Sequence, residues 1–133
     1  MEIKVETKNA RVPIAAMSVS GAIDSDTYEE FQANADELIT AGALYLLIDF
    51  ANVSFISSAG LRVLHGIFNE LRGLHKDVDD DELRKKMSLG EYKSPYLKIC
   101  NLSSQIREVF ELSGFETYIE IYEDLSTAIA SCG

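Results

Sequence analysis

Hydrophobic and polar positions change their period along the chain, and the changes mark where strands give way to helices. Residues 2–7 alternate between polar and apolar side chains, as in a half-buried strand, and residues 12–19 form a second apolar stretch. The turn between them, at Asn9 and Ala10, predicts a hairpin. Pro13 cannot donate a ladder hydrogen bond, so it should lie at a strand start or on an edge.

Helical spacing replaces the alternation in the next stretch. Apolar side chains recur every three or four residues from Tyr28 to Ile39, which predicts the first helix. Asp24 and Ser25 are its candidate N-caps, because their side-chain oxygens can accept free backbone N–H groups. Gly42 is its natural C-terminal stop.

A nearly continuous apolar run at residues 43–50, interrupted only by Asp49, is typical of a strand buried on both faces, as in the centre of a parallel sheet. A loop leads from this run to a second helix that begins near Ser58 and ends near Gly73. The remaining predicted elements are a strand at 96–100, a helix capped by Ser103 or Ser104 and ended by Gly114, a strand at 117–121 and a helix at 123–131.

The element order is therefore ββαβαβαβα, which predicts a single α/β domain over residues 1–133. Strands that alternate with helices imply a mixed, mostly parallel sheet with about four helices. Residues 77–94 interrupt the pattern with charged side chains and few large apolar ones. We interpret them as an exposed insertion that forms either a short helix or a mobile loop.

The formal net charge of −10 narrows the class of partner. An acidic chain is repelled by nucleic acid and by anionic membranes, so neither is expected to bind. A basic or mixed-charge protein partner fits better. No apolar run is long enough to span a membrane, and the start of the chain does not look like a signal peptide, so a cytoplasmic protein is expected. The sequence does not indicate an oligomeric state.

Residues that could carry catalysis or bind metal are few. Cys100 and Cys132 form neither a disulfide framework nor a zinc set, and Cys100 is expected to be a buried thiol. His65 and His75 lack ligand-like spacing, so neither a metal nor a cofactor is expected. The chain contains no GxxxxGK(S/T) loop and no GxSxG elbow. His65 would lie about two helical turns beyond Ser58, too far to act as its base, so no catalytic residue is assigned and an enzyme is not expected.

The loop-to-helix segment around Ser58 is the most informative part of the chain. Ser57, Ser58, Ala59 and Gly60 stand where the buried strand and its loop pass into the second helix. A serine at a helix start can cap the helix. If phosphorylated, its phosphate meets free N–H groups and the positive end of the helix dipole.

Three segments resemble the STAS family, the domain of sulfate transporters and anti-sigma factor antagonists. IDFANVSFISSAGLRVL resembles the family signature, in which an apolar strand and an Asp lead to Asp-Ser-Ser/Thr-Gly-Leu. GAIDSDTYEEF resembles the stretch that opens the first helix. The third segment is KICNLSSQIREVFELSGFETYIEIYEDLSTAI, which resembles the family's Asn-Leu-Ser helix and Gly-Phe/Leu turn. The resemblance covers almost the whole chain except residues 77–94.

The resemblance implies a phosphorylation switch of the bacterial anti-sigma factor antagonist type. In such proteins the serine after the Asp, here Ser58, is phosphorylated by a partner serine kinase that is itself the anti-sigma factor. A PP2C-type phosphatase reverses the reaction. Two positions depart from the family pattern: Ser57 replaces the Asp, and Ala59 replaces the second Ser/Thr. Ser57 is therefore an alternative acceptor.

The partner-binding residues implied by the resemblance and the expected sheet edge are Asp24, Asp49, Ser57, Ser58, Ala59, Gly60 and Leu61. Helix capping by Asp24 and loop capping by Asp49 are the structural alternatives for the two carboxylates. The alternative function is a scaffold or interaction module of the same fold that binds partners without phosphorylation, with the two serines acting only as caps.

Overall fold

The computed structural model describes residues 1–9, 13–43, 45–74, 79–89 and 93–132. Five strands form one sheet in the order β1-β2-β3-β4-β5. They are β1 (Glu2–Asn9), β2 (Pro13–Ile23), β3 (Tyr45–Ile56), β4 (Ser94–Cys100) and β5 (Ile119–Tyr122). β1 pairs antiparallel with β2, and all other neighbours are parallel, which confirms the mixed, mostly parallel sheet. Ala10, in the predicted hairpin turn, lies outside the described residues.

In the described part of the chain five helices accompany the sheet, one more than the sequence pattern predicted. They are α1 (Tyr28–Thr40), α2 (Ser58–Leu74), α3 (Asp80–Ser88), α4 (Ser104–Ser113) and α5 (Leu125–Ala130), with a 3-10 turn at Phe115–Thr117. The additional helix, α3, lies within the charged stretch 77–94, where a short helix was one of two alternatives. The rest of the predicted order is as observed.

Helix α3 is stabilised locally as its sequence suggests. The Asp79 side chain accepts a hydrogen bond from the Glu82 amide at 2.7 Å, and Glu82 pairs with Lys86 at 3.2 Å one turn later. Leu83 and Met87, however, are half-buried and pack against the main core, so one face of α3 belongs to the fold. Residues 77–78 and 90–92 lie outside the described residues.

The central position of β3 explains its composition. Leu46, Leu47 and Ile48 are all completely buried, because helices cover both faces of the sheet at this point. β3 is longer than predicted and continues to Ile56, paired with β2 through two register shifts. The sequence pattern missed this extension because residues 51–55 expose most of their side chains and no longer follow a regular period.

The start of α1 corrects one prediction and its end confirms another. The helix begins at Tyr28, and neither Asp24 nor Ser25 caps it. At its other end Gly42 has φ +99°, a conformation that glycine adopts without strain. The Gly42 and Ala43 amides donate to carbonyls of the last turn, at 3.0 and 3.1 Å, so the helix ends in the predicted glycine stop.

Two apolar layers lie on opposite faces of the sheet. The larger is the main core beneath α1, α2 and α4, and its helix residues include Phe31, Leu64, Phe68 and Phe110. The smaller lies beneath α5 and contains Ile14, Ala16, Leu47, Cys100, Ala128 and Cys132. The predicted buried thiol of Cys100 is confirmed, and burial, with the negative charge of Asp49, raises its pKa to about 12.

One ion pair lies at the edge of the smaller layer. The Lys98 side chain is only 5% exposed, and its Nζ lies 2.7 Å from Oε2 of Glu120 on the neighbouring strand. The Tyr122 hydroxyl donates to the same oxygen. Burial alone would lower the Lys98 pKa, but the hydrogen bond and charge of Glu120 outweigh it and the pKa is raised. Burial likewise opposes ionisation of Glu120, yet Lys98 and Tyr122 together lower its pKa.

Candidate functional site

A serine at a helix start can cap the helix or accept a phosphate, and Ser57 and Ser58 differ in which of these their positions allow. Ser57 precedes α2, and its hydroxyl accepts a long hydrogen bond of 3.4 Å from the Gly60 amide, so Ser57 is the capping residue. Ser58 is the first residue of α2 and its side chain is exposed. Within the described residues the Ser58 hydroxyl forms no hydrogen bond. The structure thus assigns the cap to Ser57 and leaves Ser58 available.

The start of α2 is fixed to the sheet by the backbone of β2. The Ser57 amide donates to the Ile23 carbonyl at 2.8 Å, and Ile23 is the last residue of β2. Ile23 also pairs with Ile56 in the parallel ladder. Ser58 therefore stands directly beyond the carboxyl ends of two neighbouring strands, as expected for a site on a parallel sheet.

Gly60 allows α2 to approach these strand ends closely. A β-carbon at this position would lie 2.7 Å from side-chain carbons of both Ile23 and Ile56, which is closer than such atoms approach. Gly60 is buried, so it does not present surface to a partner. This differs from the expectation that the family resemblance gave for Gly60. Leu61 is half-buried against the main core, and Ala59 is half-buried beside Ser58.

Asp24 follows Ile23, whose carbonyl accepts a hydrogen bond from the Ser57 amide, and its own side chain has a local structural role. Its Oδ1 accepts a hydrogen bond from the Asp26 amide at 2.9 Å, and its own amide donates to Thr27 Oγ1 at 2.9 Å. The Thr27 hydroxyl in turn donates to the Ala22 carbonyl at 2.7 Å. Asp24 therefore shapes the loop between β2 and α1 instead of capping the helix, which corrects the capping alternative. Its half-buried carboxylate still lies one residue from Ile23, the hydrogen-bond partner of Ser57.

Asp49 is separated from this group. It lies seven residues before Ile56 on the extended strand β3, which places it on the order of 20 Å from the start of α2. Its Oδ1 accepts hydrogen bonds from the Ala51 amide and the Asn101 side chain, both at 2.9 Å. Asn101 has φ +61°, so this contact helps to hold a backbone conformation that few residues adopt. The hydrogen bonds agree with the loop-capping alternative, and Asp49 is not brought next to Ser58.

Two side chains that the sequence reasoning did not single out lie near Ser58. Phe55, near the end of β3, is 54% exposed, which is unusual for a large aromatic ring on a central strand. Arg62, one helical turn beyond Ser58, is also exposed. Arg62 borders a surface hollow between the first turns of α1 and α2, lined by Ser25, Tyr28, Gln32, Ala59, Arg62 and Val63. The polar face of an amphipathic helix could have identified Arg62, but the exposure of Phe55 depends on the register shifts of β3.

The candidate metal ligands and the histidine of α2 take structural positions in the described part of the chain. No group of three or more His, Cys, Asp or Glu side chains is arranged there to hold a metal ion. The His65 ring contacts Phe68 and Phe115, and its Nδ1 lies 3.0 Å from the Tyr118 hydroxyl. This hydrogen bond joins His65 to Tyr118, the residue that follows the 3-10 turn, and not to the first turn of α2. His75 lies outside the described residues. No described helix is long and apolar enough to cross a membrane.

Known proteins include relatives that are similar to this chain in sequence or in fold. The chain is 27% identical over 113 residues to the Bordetella bronchiseptica protein named "putative anti-sigma factor antagonist BtrV", covering 85% of this chain and 81% of the relative. This relative is named as a regulatory protein and not as an enzyme.

Solved structures of anti-sigma factor antagonists share the fold. The Mycobacterium paratuberculosis antagonist superposes with a TM-score of 0.69 at 18% identity, covering 98% of this chain and 93% of the relative. The phosphorylated form of the Bacillus cell-fate determinant SpoIIAA superposes with a TM-score of 0.62 at 19% identity, covering 96% and 97%. At these identities the likeness establishes the fold. The STAS domain family itself matches residues 5–76, which include the first turn of α2, and the chain belongs to that family.

Proposed function

We propose that this chain is a cytoplasmic anti-sigma factor antagonist whose partner is an anti-sigma factor with serine kinase activity. The unmodified protein binds that partner through the surface around Ser58. Phosphorylation of Ser58 weakens binding, and a PP2C-type phosphatase restores it. The protein itself acts by binding and not as an enzyme.

The observation that carries this proposal is the free hydroxyl of Ser58. It is exposed at the first position of a 17-residue helix, while Ser57 already provides the cap. A phosphate on Ser58 would break no observed hydrogen bond and would meet free amides and the positive end of the helix dipole. It would also add about −1.5 to −2 charges beside Asp24 on an acidic surface. The loss of the usual Asp at position 57 therefore leaves a geometry that can accept a phosphate.

The relatives support the same proposal. The most informative relatives are the Bordetella protein, which is named as a putative anti-sigma factor antagonist, and Bacillus SpoIIAA. Structures of SpoIIAA exist in the unphosphorylated and in the phosphorylated form. The similar fold in both forms suggests that a phosphate can act on the surface without a change of fold, and we expect the same of this chain.

Incubation with the cognate kinase and ATP is expected to add one phosphate, at Ser58. Intact-mass measurement and peptide mapping identify the position. Ser58→Ala should abolish the mass increase, whereas Ser57→Ala should retain it because Ser57 serves as the cap. Ser104 is an internal comparison, since it is an exposed first residue of α4 preceded by a capping Ser103. Phosphate on Ser57, on Ser104 or on none of them would contradict the proposal.

Replacement of Ser58 by aspartate is expected to weaken partner binding roughly 5- to 150-fold, the usual range for a regulatory coupling. Titration calorimetry with the purified partner measures the change. Ser104→Asp places the same charge at the equivalent position of α4 and should leave the affinity unchanged. Equal affinities of the wild type and Ser58→Asp would favour the scaffold function, in which the serines have no switching role.

Phe55 is expected to contribute to partner binding as an apolar anchor. Its ring is exposed three residues before Ser58, and buried aromatic side chains often dominate binding energy at protein interfaces. Phe55→Ala should weaken binding at least tenfold with little loss of stability, because about half of the residue is already exposed. The matched control is Leu112→Ala on α4, where a side chain of 83% exposure is removed from another surface. Equal affinities for the two variants would exclude the anchor.

A further inference from the structure

Arg62 stands where it can meet a phosphate on Ser58. The two residues are four positions apart in α2, so their side chains leave the same face of the helix with β-carbons about 5–6 Å apart. Both side chains are exposed, and within the described residues neither forms an ion pair. An acidic group that precedes a basic one by four residues is the favourable orientation along a helix.

The other charges around this position are acidic. Asp24 and Asp26 lie in the loop before α1, and Glu29 and Glu30 occupy the first turn of α1. Glu29 accepts a hydrogen bond from the Tyr28 hydroxyl at 3.2 Å, and Tyr28 lines the hollow that Arg62 borders. A phosphate on Ser58 would be repelled by these carboxylates, whereas Arg62 lies within reach as a counter-ion. The guanidinium fork suits phosphate oxygens because it can donate two hydrogen bonds at once.

We infer that Arg62 is the intramolecular partner of a phosphate on Ser58, so that modification withdraws this arginine from the binding surface. The inference rests on the proposed phosphorylation of Ser58. It refines the switch, because phosphorylation then changes the surface in two ways. A negative group appears at Ser58, and the free positive group one turn away becomes paired.

The pairing is tested on protein that carries phosphoserine at position 58, incorporated during translation, so that neither kinase nor partner is needed. A ³¹P NMR titration gives the second pKa of the phosphate. Arg62→Gln is expected to raise this pKa by roughly half a unit, the size expected of an i,i+4 pair with a multiply charged group. Arg62→Lys keeps the positive charge, so the second pKa of its phosphate should stay close to that of the protein with Arg62. Arg107→Gln, which removes an arginine from α4, should leave the pKa unchanged.

The controls separate this inference from other causes. The helix dipole and the free amides of α2 are the same in all the variants, so a difference between Arg62→Gln and Arg107→Gln reports the side chain alone. The shift should shrink in 1 M salt, because exposed charges are screened. Identical pKa values for these two variants would overturn the pairing while leaving the proposed function intact. A shift in the phosphoserine protein combined with no kinase-dependent phosphate on Ser58 would instead contradict the proposed function.

Discussion

Replacement of Gly60 by alanine is expected to lower the free energy of unfolding by about 1–3 kcal/mol, as an overpacked core position does. The added β-carbon would lie 2.7 Å from side-chain carbons of Ile23 and Ile56 and 3.2 Å from the Ile23 carbonyl oxygen. Neither isoleucine can move away easily, because they are 0% and 4% exposed. Urea unfolding should show a lower midpoint with an unchanged slope. The first turn of α2 should shift outward, so partner binding should also weaken.

Gly66 in the same helix is the matched control. A β-carbon there would meet nothing within 4 Å, and the residue is exposed. Gly66→Ala should therefore stabilise the protein by about 0.5–1 kcal/mol, because alanine loses less backbone entropy in a helix. If Gly60→Ala lowers the free energy of unfolding while Gly66→Ala raises it, close packing is the cause of the loss at Gly60. A stabilising Gly60→Ala would show that α2 can move away from the strand ends at little cost.

Replacement of Glu120 by glutamine is expected to cost about 2–3 kcal/mol, since it leaves the Lys98 ammonium buried without its carboxylate. We place the value below that of a fully buried pair because the Glu120 side chain is 31% exposed. Lys98→Met removes the other partner and should cost less than about 1 kcal/mol. The remaining carboxylate reaches solvent and keeps the Tyr122 hydroxyl as a donor. Chemical unfolding of the two variants at pH 7 measures this asymmetry.

The same ion pair fixes the direction of a pH dependence. The folded-state pKa of Glu120 lies below its ordinary value of 4.5, so its contribution is present above that pH and is lost as the pH falls through the folded pKa. The folded-state pKa of Lys98 is raised above 10.5, so its contribution persists up to that pH and is lost as the pH rises further. Glu120→Gln should remove the acid-side part of this dependence. An unchanged acid limb in that variant would show that other carboxylates produce it.

Much of the fold was predictable because its elements bury regular patterns. The apolar run at 43–50 predicted a central strand, and residues 46–48 are indeed fully buried. The helical spacing from Tyr28 predicted α1, and Gly42 marked its end. The additional helix α3 could not be separated from a loop in advance. Its stability combines local capping by Asp79 with contacts of Leu83 and Met87 to a core that no local pattern describes.

Some properties of the candidate site were also predictable from the sequence, and others were not. The sequence by itself determined the α/β class, the mixed sheet and the serine pair at the start of α2, because each depends on local periodicity, capping chemistry or a contiguous motif. Only the tertiary structure decided which serine caps the helix, that Gly60 is a packing residue, and that Asp49 binds the Asn101 side chain. It also placed Phe55 in solvent. These properties arise from how β2, β3 and α2 meet, and distances between separate elements are set by packing of the whole core.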